Sequence, residues 1–228
     1  MPVLPGSPPL DITLRRSARA TRFSLRVSSL DGRVTLSVPV RAREADAMAF
    51  ARSQEGWLRA ALAKQTLPAA MGFGSVVLIE GVEVVLRPGT GRAPRLEDDS
   101  LLLPGGEAQA AARTAAYLRA MARDRLAAAS DHYAGLLGRK VSRITLRDTR
   151  SRWGSCSAAG ALMYSWRLVM APPSVLRYVA AHECAHLVEM NHGPQFWAVV
   201  SRLYPGWQRE RAWLHSHGAR LHAYRFEA

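Results

Sequence analysis

Three of the seven histidines in this chain lie within one short segment, AHECAHLVEMNHGPQFW, at residues 181–197. Pro172-Pro173 precedes this segment, and proline is tolerated in the first turn of a helix, where its missing N–H costs little. We therefore expect a helix from about Pro173 to Val188. On that helix the spacing of the histidines decides whether they can share one site.

On such a helix His182 and His186 lie one turn apart, with Cβ atoms about 6 Å from each other, so two imidazoles can bind one metal ion. Glu183 lies about 100° around the axis from His182, beside the pair, and reaches a metal-bound water more readily than the metal. This His-Glu-x-x-His arrangement supplies two ligands and a carboxylate that accepts a proton from the water. It predicts a hydrolytic metal centre with Glu183 as the general base.

A third protein ligand is expected, because catalytic zinc sites usually have three ligands and one open position. On a continuing helix His192 would lie about 15 Å along the axis from His182, out of reach. Asn191 tolerates the left-handed conformation that ends helices, and Gly193-Pro194 cannot extend one. We therefore expect a bend at Asn191 that brings His192 to the metal.

Other acidic and histidine side chains offer weaker alternatives. Glu189 and Glu210 are possible carboxylate ligands, although a solvated charge is the more ordinary role for each. His215, His217 and His222, close to the C-terminus, could form a second metal site. Cys184 faces away from His182 on the expected helix and is more typical of a packed thiol.

The composition limits the class of protein. The net charge is +13, and only Lys64 and Lys140 are lysines, so the excess is arginine. This positive field favours anionic partners, including nucleic acid, but codon bias towards arginine explains it equally well. No apolar run approaches the ~18 residues of a spanning helix, and the N-terminus lacks a signal-peptide pattern, so we expect a cytoplasmic protein without a membrane partner.

Residues 1–104 are predicted to form an N-terminal α+β block. Apolar and polar residues alternate over residues 11–40 around the turn dipeptide Asp31-Gly32, which predicts a β-hairpin. Helical spacing follows from Ala42 to about Lys64, and Pro68 ends that segment. Two short strands are predicted over residues 75–87, meeting at Glu80-Gly81, with one more strand at residues 101–103.

Residues 105–228 are predicted to form a second domain. It begins with a helix over residues 107–138, stopped by Gly138. Strands are predicted over residues 141–148 and 161–171, joined by the irregular segment TRSRWGSCSAAG, and the histidine-bearing helix follows. Together the two blocks predict an α+β protein.

Several separated motifs of this second block resemble one protein family. SRWGSCS (151–157), a strand ending in Pro-Pro, HECAHL (182–187) and NHGPQFW (191–197) resemble the YgjP-like metal-dependent hydrolases, which are related to the SprT and WLM metallopeptidases. The resemblance implies a zincin-like metallopeptidase domain with a long helix, a small antiparallel sheet and an active-site helix. It also implies one Zn²⁺ per chain, held by the same three histidines, with Glu183 as the base. Metzincins share this histidine spacing but have glycine where Glu189 stands, which favours a bend at Asn191.

The resemblance also indicates where substrate would bind. In zincins the strand before the active-site helix offers an edge to an extended peptide, so residues 162–168, with Tyr164 and Trp166, are candidates for strand addition. A plain core strand is the alternative. In the loop TRSRWGSC, Arg150 and Arg152 flank a serine and Trp153 follows, which could form an anion pocket because guanidinium binds phosphate or carboxylate bidentately. A structural turn with a buried tryptophan is equally consistent.

Three functions remain open on the sequence. The first is a zinc peptidase acting on polypeptides. The second is a metal-dependent nucleotide pyrophosphatase or phosphohydrolase, favoured by the arginine-rich loop and the net charge. The third is a non-enzymatic, metal-stabilised nucleic-acid-binding module, which leaves Glu183 without a purpose.

Overall fold

The computed structural model describes residues 2–28, 32–63 and 71–226. The chain divides into two compact units, Met1–Pro68 and Ala69–Ala228, which are called unit 1 and unit 2 below. Among the described residues, no helix combines the length and apolar character needed to cross a membrane.

Unit 1 contains a four-stranded sheet and two helices. Its elements are β1 (Val3–Leu4), β2 (Leu10–Ser17), β3 (Ser24–Val27), β4 (Val34–Pro39), α1 (Glu44–Ser53) and α2 (Glu55–Ala63). The strand order is β1-β2-β4-β3; β4 pairs antiparallel with β3 and parallel with β2. The predicted hairpin is therefore present in β3 and β4, while β2 joins β4 on its other side. Asp31, in the predicted turn, lies outside the described residues.

The single helix predicted from Ala42 is interrupted at Gln54. The N–H of Gln54 donates to the carbonyl of Ala51 at 3.2 Å, and such a bond over three residues tightens and ends the last helical turn. Lys64 and Pro68, where the sequence predicts the end of the helix, lie outside the described residues.

Unit 2 begins with a second four-stranded sheet. Its strands are β5 (Val76–Ile79), β6 (Val82–Pro88), β7 (Arg95–Glu97) and β8 (Ser100–Leu103), in the order β5-β6-β8-β7. The predicted turn at Glu80-Gly81 is present, and both residues have positive φ, 50° and 84°. The N–H of Glu80 donates to the carbonyl of Val169 at 2.7 Å, which ties this turn to the segment before the histidine helix.

The division between the units differs from the expected boundary at residue 104. A long helix, α3 (Glu107–Leu136), ends just before Gly138, which has a φ of 63°. Val77, Leu86 and Leu101 are fully buried in the same apolar cluster as Leu118 of α3. The second sheet therefore shares one apolar core with α3. This holds although the sequence between the strands of the sheet includes a loop rich in proline and glycine.

A three-stranded sheet follows α3. Its strands are β9 (Arg143–Arg147), β10 (Gly154–Cys156) and β11 (Ala161–Ser165), in the order β10-β11-β9. β11 pairs antiparallel with β10 but parallel with β9, so this small sheet is mixed, whereas a small antiparallel sheet was expected.

The strand predicted over residues 161–171 ends at Ser165 and continues as a 3₁₀-helix, Trp166–Met170. All five residues of that helix are buried, so the segment does not have one buried and one exposed face. The buried guanidinium of Arg167 donates to Asp148 at 2.7 and 3.0 Å and to the carbonyl of Leu221 at 2.8 Å. These bonds satisfy the buried guanidinium and hold Arg167 inside the core.

Three helices complete unit 2: α4 (Pro173–Ala185), α5 (Pro194–Leu203) and α6 (Trp207–Leu221). α4 carries His182, His186 is the capping residue at its C-terminal end, and the loop between α4 and α5 carries His192. The α+β class is confirmed, and so is the placement of a long helix and a small sheet ahead of the histidine-bearing helix.

Candidate active site

The three predicted histidines converge in unit 2. One ring nitrogen from each of His182, His186 and His192 lies within 4.8 Å of the other two. The Nε2 atoms of His182 and His192 are 3.1 Å apart. Tetrahedral zinc with nitrogen ligands at ~2.0–2.1 Å requires ligand atoms about 3.3 Å apart, so this spacing suits a shared cation.

The path of the chain from α4 to His192 differs in part from the predicted one. α4 ends at Ala185, and the N–H groups of Leu187 and Val188 donate to carbonyls three residues back at 2.9 and 3.1 Å. The chain then bends at Asn191, as expected, but without the left-handed conformation, since the described non-glycine residues with positive φ are Glu80 and Asp98. The tight turn after Ala185 ends the helix instead.

A smaller turn sets the direction of His192. The N–H of Gly193 donates to the carbonyl of Asn191 at 2.7 Å, which closes a three-residue turn with His192 at its centre. Gly193 then precedes the first residue of α5, Pro194. The start of α5 therefore positions the third imidazole.

Phe196 supports all three imidazoles. Its ring is fully buried, and its centroid lies 4.9, 4.4 and 4.6 Å from those of His182, His186 and His192. The Nδ1 atom of His186 lies 3.0 Å from the carbonyl oxygen of Glu189, which leaves Nε2 of His186 for another partner. By contrast, Nδ1 of His182 is buried without a hydrogen-bond partner among the described residues.

The electrostatics of the cluster suit a divalent cation. Burial, with smaller contributions from the charges of His186, His192 and Arg211, lowers the pKa of His182 to about 3. Burial also lowers the pKa of His186. Metal ligands have to be neutral imidazoles with a free lone pair, and both pKa shifts favour the neutral form.

Glu183 is a buried carboxyl group, 5% exposed, beside the histidines. Burial raises its pKa to about 8, and the positive charge of Arg152 opposes that rise. Strand β10 passes directly over the carboxylate: a Cβ atom added to Gly154 would lie 2.5 Å from Oε1 of Glu183. Only glycine fits the strand at this point without moving the carboxylate.

Glu183 and the three histidines line one cleft of about 450 Å³. The remaining lining residues are Ser151, Arg152, Gly154, Ser155, Cys156 and Met190. Burial raises the pKa of the Cys156 thiol to about 11, so this side chain stays protonated and is a poor nucleophile.

The two predicted anion-binding arginines are separated. Arg152 lines the cleft, whereas Arg150 does not. The charge of Arg150 acts instead on His222, whose pKa is lowered to about 4 mainly by burial, with Arg167 and Arg150 adding to the effect and Asp148 opposing it. Of the two predicted anion-binding arginines, Arg152 therefore lines the histidine cleft and Arg150 does not.

The three aromatic residues predicted to bind substrate have different positions. Trp153 is half-buried, stacks on His222 with centroids 4.9 Å apart, and packs against Gly218. Tyr164 is fully buried, with its hydroxyl 2.9 Å from that of Ser130. Trp166 is 2% exposed. Tyr164 and Trp166 are therefore core residues that cannot contact substrate directly.

The strand predicted to offer a free edge to a peptide is not an edge strand. Residues 162–168 include most of β11, which is paired on both sides, with β10 and with β9. A strand with two partners has no free hydrogen-bonding edge. The edge strand beside Glu183 is β10.

The alternative ligands remain apart from the cluster. Among the described residues, the histidine trio alone forms a group of metal-ligating side chains. Glu210 is buried elsewhere, beside Tyr204 and Arg209. His217 stacks on Trp213, while His222 stacks on Trp153, so the predicted second metal site is absent from the described residues.

Sequence reasoning missed two residues of the site. Phe196 follows His192 by four positions, a spacing that places it on the first turn of α5 beneath the imidazoles. Gly154 belongs to SRWGSCS, and the structure shows that a glycine is required there for the close approach of β10 to Glu183.

The fold is α+β, and three converging histidines beside a buried carboxyl group form the arrangement expected of a metal-dependent hydrolase. The sequence profile of a family described as the YgjP-like, metallopeptidase domain matches residues 21–217. The match covers most of the chain, so the protein belongs to the YgjP-like family.

Comparison with curated proteins gives no significant match. Among solved structures, the chain is similar to the crystal structure of the metallopeptidase zymogen of Pyrococcus abyssi abylysin, with 18% sequence identity and a TM-score of 0.37. That similarity covers 41% of this chain and 95% of the abylysin chain.

Proposed function

We propose that this protein is a zinc-dependent metallopeptidase in which His182, His186 and His192 hold one zinc ion and Glu183 is the general base. The observation that supports it best is the convergence of three imidazoles with a buried carboxyl group in one cleft. Membership of a metallopeptidase family supports the same conclusion.

The donor set fits zinc. Three imidazole ligands leave one coordination position open, which is the pattern of catalytic zinc sites. Bound there, zinc would polarise the substrate carbonyl and acidify water, the Lewis-acid chemistry that peptide hydrolysis needs.

Glu183 supplies the proton transfer. Its carboxylate would accept a proton from the attacking water and deliver it to the leaving amine nitrogen. Burial beneath β10 excludes bulk water and fixes the carboxylate, so the orientation does not have to be established during each turnover.

The free edge of β10 is suited to hold the substrate. Its partner β11 occupies one side only, so the other side can pair with an extended peptide through backbone hydrogen bonds. Because Gly154 lies against Glu183, a peptide on this edge would run past the carboxylate. This replaces the 162–168 edge as the proposed substrate strand.

A polypeptide fits the site better than a nucleotide. Arg152 lines the histidine cleft and Arg150 does not, whereas the free edge of β10 beside Glu183 suits an extended peptide. A non-enzymatic nucleic-acid-binding module leaves the buried carboxylate of Glu183 unexplained.

The proposal is tested by offering the zinc-loaded protein unfolded polypeptides and nucleoside triphosphates side by side. We expect peptide bonds to be cleaved, with loss of cleavage on zinc chelation and recovery when zinc is restored. Mass spectrometry identifies the peptide products, and a phosphate assay follows the nucleotides. Zinc-dependent release of phosphate or pyrophosphate, without cleavage of any polypeptide, would favour the nucleotide hydrolase and overturn the peptidase assignment.

A further inference from the structure

A second cleft, of about 360 Å³, adjoins the first. Both clefts are lined by Gly154, His182 and Glu183. The second one continues on the other side of these residues, towards α6. A peptide whose scissile bond lies at Glu183 would therefore place a neighbouring residue in this second cleft.

The walls of the second cleft are largely apolar and are held in place. Val179 is buried, Leu214 is half-buried, and Trp153 is fixed between His222 and the backbone of Gly218. Gly218 is necessary here, because a Cβ at that position would lie 2.8 Å from the Trp153 ring. These side chains suit the methylene groups of a bound residue.

The rim of the second cleft carries Arg211, an exposed residue held by stacking. Its guanidinium carbon lies 5.2 Å from the ring centroid of Trp197 and 5.8 Å from that of Trp207. The two tryptophans are themselves stacked, with centroids 4.3 Å apart. Stacking uses the face of a guanidinium and leaves its N–H groups, which lie in the plane, free to bind a carboxylate bidentately.

Arg211 has no acidic partner in the described part of the chain: no carboxylate there lies within ion-pair distance of it. Its charge nevertheless reaches the cleft. Burial raises the pKa of Tyr178, another lining residue, to about 12, and the charge of Arg211 opposes that rise. A cation that is oriented in advance and lacks an internal partner is suited to an external anion.

We propose that the second cleft binds a substrate residue bearing a carboxylate, and that Arg211 is the specificity-determining residue that pairs with it. The inference rests on the proposed peptidase function and names its substrate class. The carboxylate has two possible sources, an aspartate or glutamate side chain beside the scissile bond, or the free C-terminus of the peptide.

The test uses zinc-loaded protein and peptides in matched pairs. Within each pair one peptide carries Glu and the other Gln at a position flanking the cleaved bond, and each peptide is made with a free and with an amidated C-terminus. We expect the carboxylate form to be cleaved with a kcat/KM about tenfold or more above its neutral counterpart, since a charge-assisted bidentate pair strengthens binding by at least that factor. A preference for Glu over Gln indicates a side chain; a loss on amidation indicates the C-terminus.

Two variants assign the preference to the residue. Arg211→Gln should bring the ratio of kcat/KM values close to one. Arg209→Gln is the matched control, because Arg209 is an exposed arginine on the same helix that does not line the second cleft; it should keep the full ratio. Circular dichroism and thermal unfolding establish that both variants are folded.

Equal cleavage of charged and neutral peptides by the parent protein, or an unchanged preference in Arg211→Gln, would overturn the inference while leaving the peptidase function intact. If no peptide is cleaved at all, the proposed function fails, and the cleft is then tested by binding. Calorimetric titration of the Glu and Gln peptides into the Glu183→Gln protein should show about tenfold tighter binding of the Glu peptide, lost when Arg211→Gln is added. Equal binding of the two peptides would overturn the inference in that case too.

Discussion

At the scale of single residues, the candidate site depends on two residues whose side chains have no ionisable group. Gly154 allows β10 to pass directly over the Glu183 carboxylate, and Phe196 lies beneath all three imidazoles. Neither residue binds metal or moves a proton. Both determine whether the residues that do so have the correct geometry.

Replacing Gly154 with alanine tests the first contact. The added Cβ would lie 2.5 Å from Oε1 of Glu183, so either the carboxylate or the strand has to move. We expect kcat/KM for peptide cleavage to fall by ~10²-fold, since small misplacements of catalytic groups have effects of that size. Zinc content, measured by atomic absorption, should remain near one ion per chain. Unchanged activity would show that the close approach has no catalytic consequence.

Replacing Phe196 with leucine tests the second contact. The smaller side chain loses its ring contacts with the histidines, so the imidazoles gain freedom and zinc affinity should fall by ~10-fold or more, as it does when the supports of metal ligands are removed. Competition with a chromogenic chelator measures that affinity. Phe226→Leu is the control, because Phe226 is buried in the same core but lies against Trp166; it should lower stability without changing zinc affinity.

At the scale of elements, the sequence predicts best where local chemistry decides the structure. The paired prolines indicate the start of α4, Glu80-Gly81 indicates a turn, and Gly138 follows the end of α3, because each depends on a few adjacent residues. The prediction of a free strand edge at residues 162–168 was wrong. Alternation of apolar and polar residues is found in edge strands and in central strands alike, so it does not distinguish them. The number of strand partners is a tertiary property, and so is the burial of Arg167.

The candidate site shows the same division. Three histidines and a glutamate at helical spacing were recognisable, because their chemistry is encoded by residue type and separation. Arg211 was not recognisable from the sequence, because its proposed role depends on stacking against Trp197 and Trp207. These two tryptophans come from α5 and α6 and stack on each other. Arg150 and Arg152 are only two positions apart in the sequence, yet Arg152 lines the histidine cleft and Arg150 does not, so proximity along the chain did not predict a shared position.

Packing of the loop before β10 against the end of α6 predicts a pH dependence of stability. Burial against Trp153 lowers the pKa of His222 from its ordinary 6.5 to about 4. Between these two values the unfolded chain binds a proton at His222 and the folded chain does not, so the free energy of unfolding decreases as the pH falls from 6.5 to about 4.

Thermal unfolding of His222→Gln against the parent measures this contribution. The loss of stability between pH 6.5 and pH 4 should be smaller in the variant. His217→Gln is the control, because His217 is exposed, and it should behave like the parent. Parallel stability curves for parent and His222→Gln would contradict the assignment.

At the scale of the whole molecule, the candidate site lies entirely within unit 2, which has its own apolar core. The net charge of +13 acts over longer distances, and a field of this sign raises the encounter rate with acidic polypeptides. This agrees with the proposed carboxylate preference of the second cleft. The sheet over residues 76–103 belongs to the same apolar core as α4 and α5, so the compact unit that contains the candidate site also includes residues before 105.

The central claim, that the histidine trio holds zinc while Glu183 moves the proton, is tested most directly by measuring zinc content and peptide cleavage together in Glu183→Gln. Glutamine keeps the size of the side chain but cannot accept the proton, so we expect about one zinc per chain and a fall in kcat of ~10²-fold or more. His186→Ala, measured in parallel, should lose the zinc. Glu183→Gln protein that retains zinc and cleaves peptides as fast as the parent would remove Glu183 from the mechanism and contradict the account.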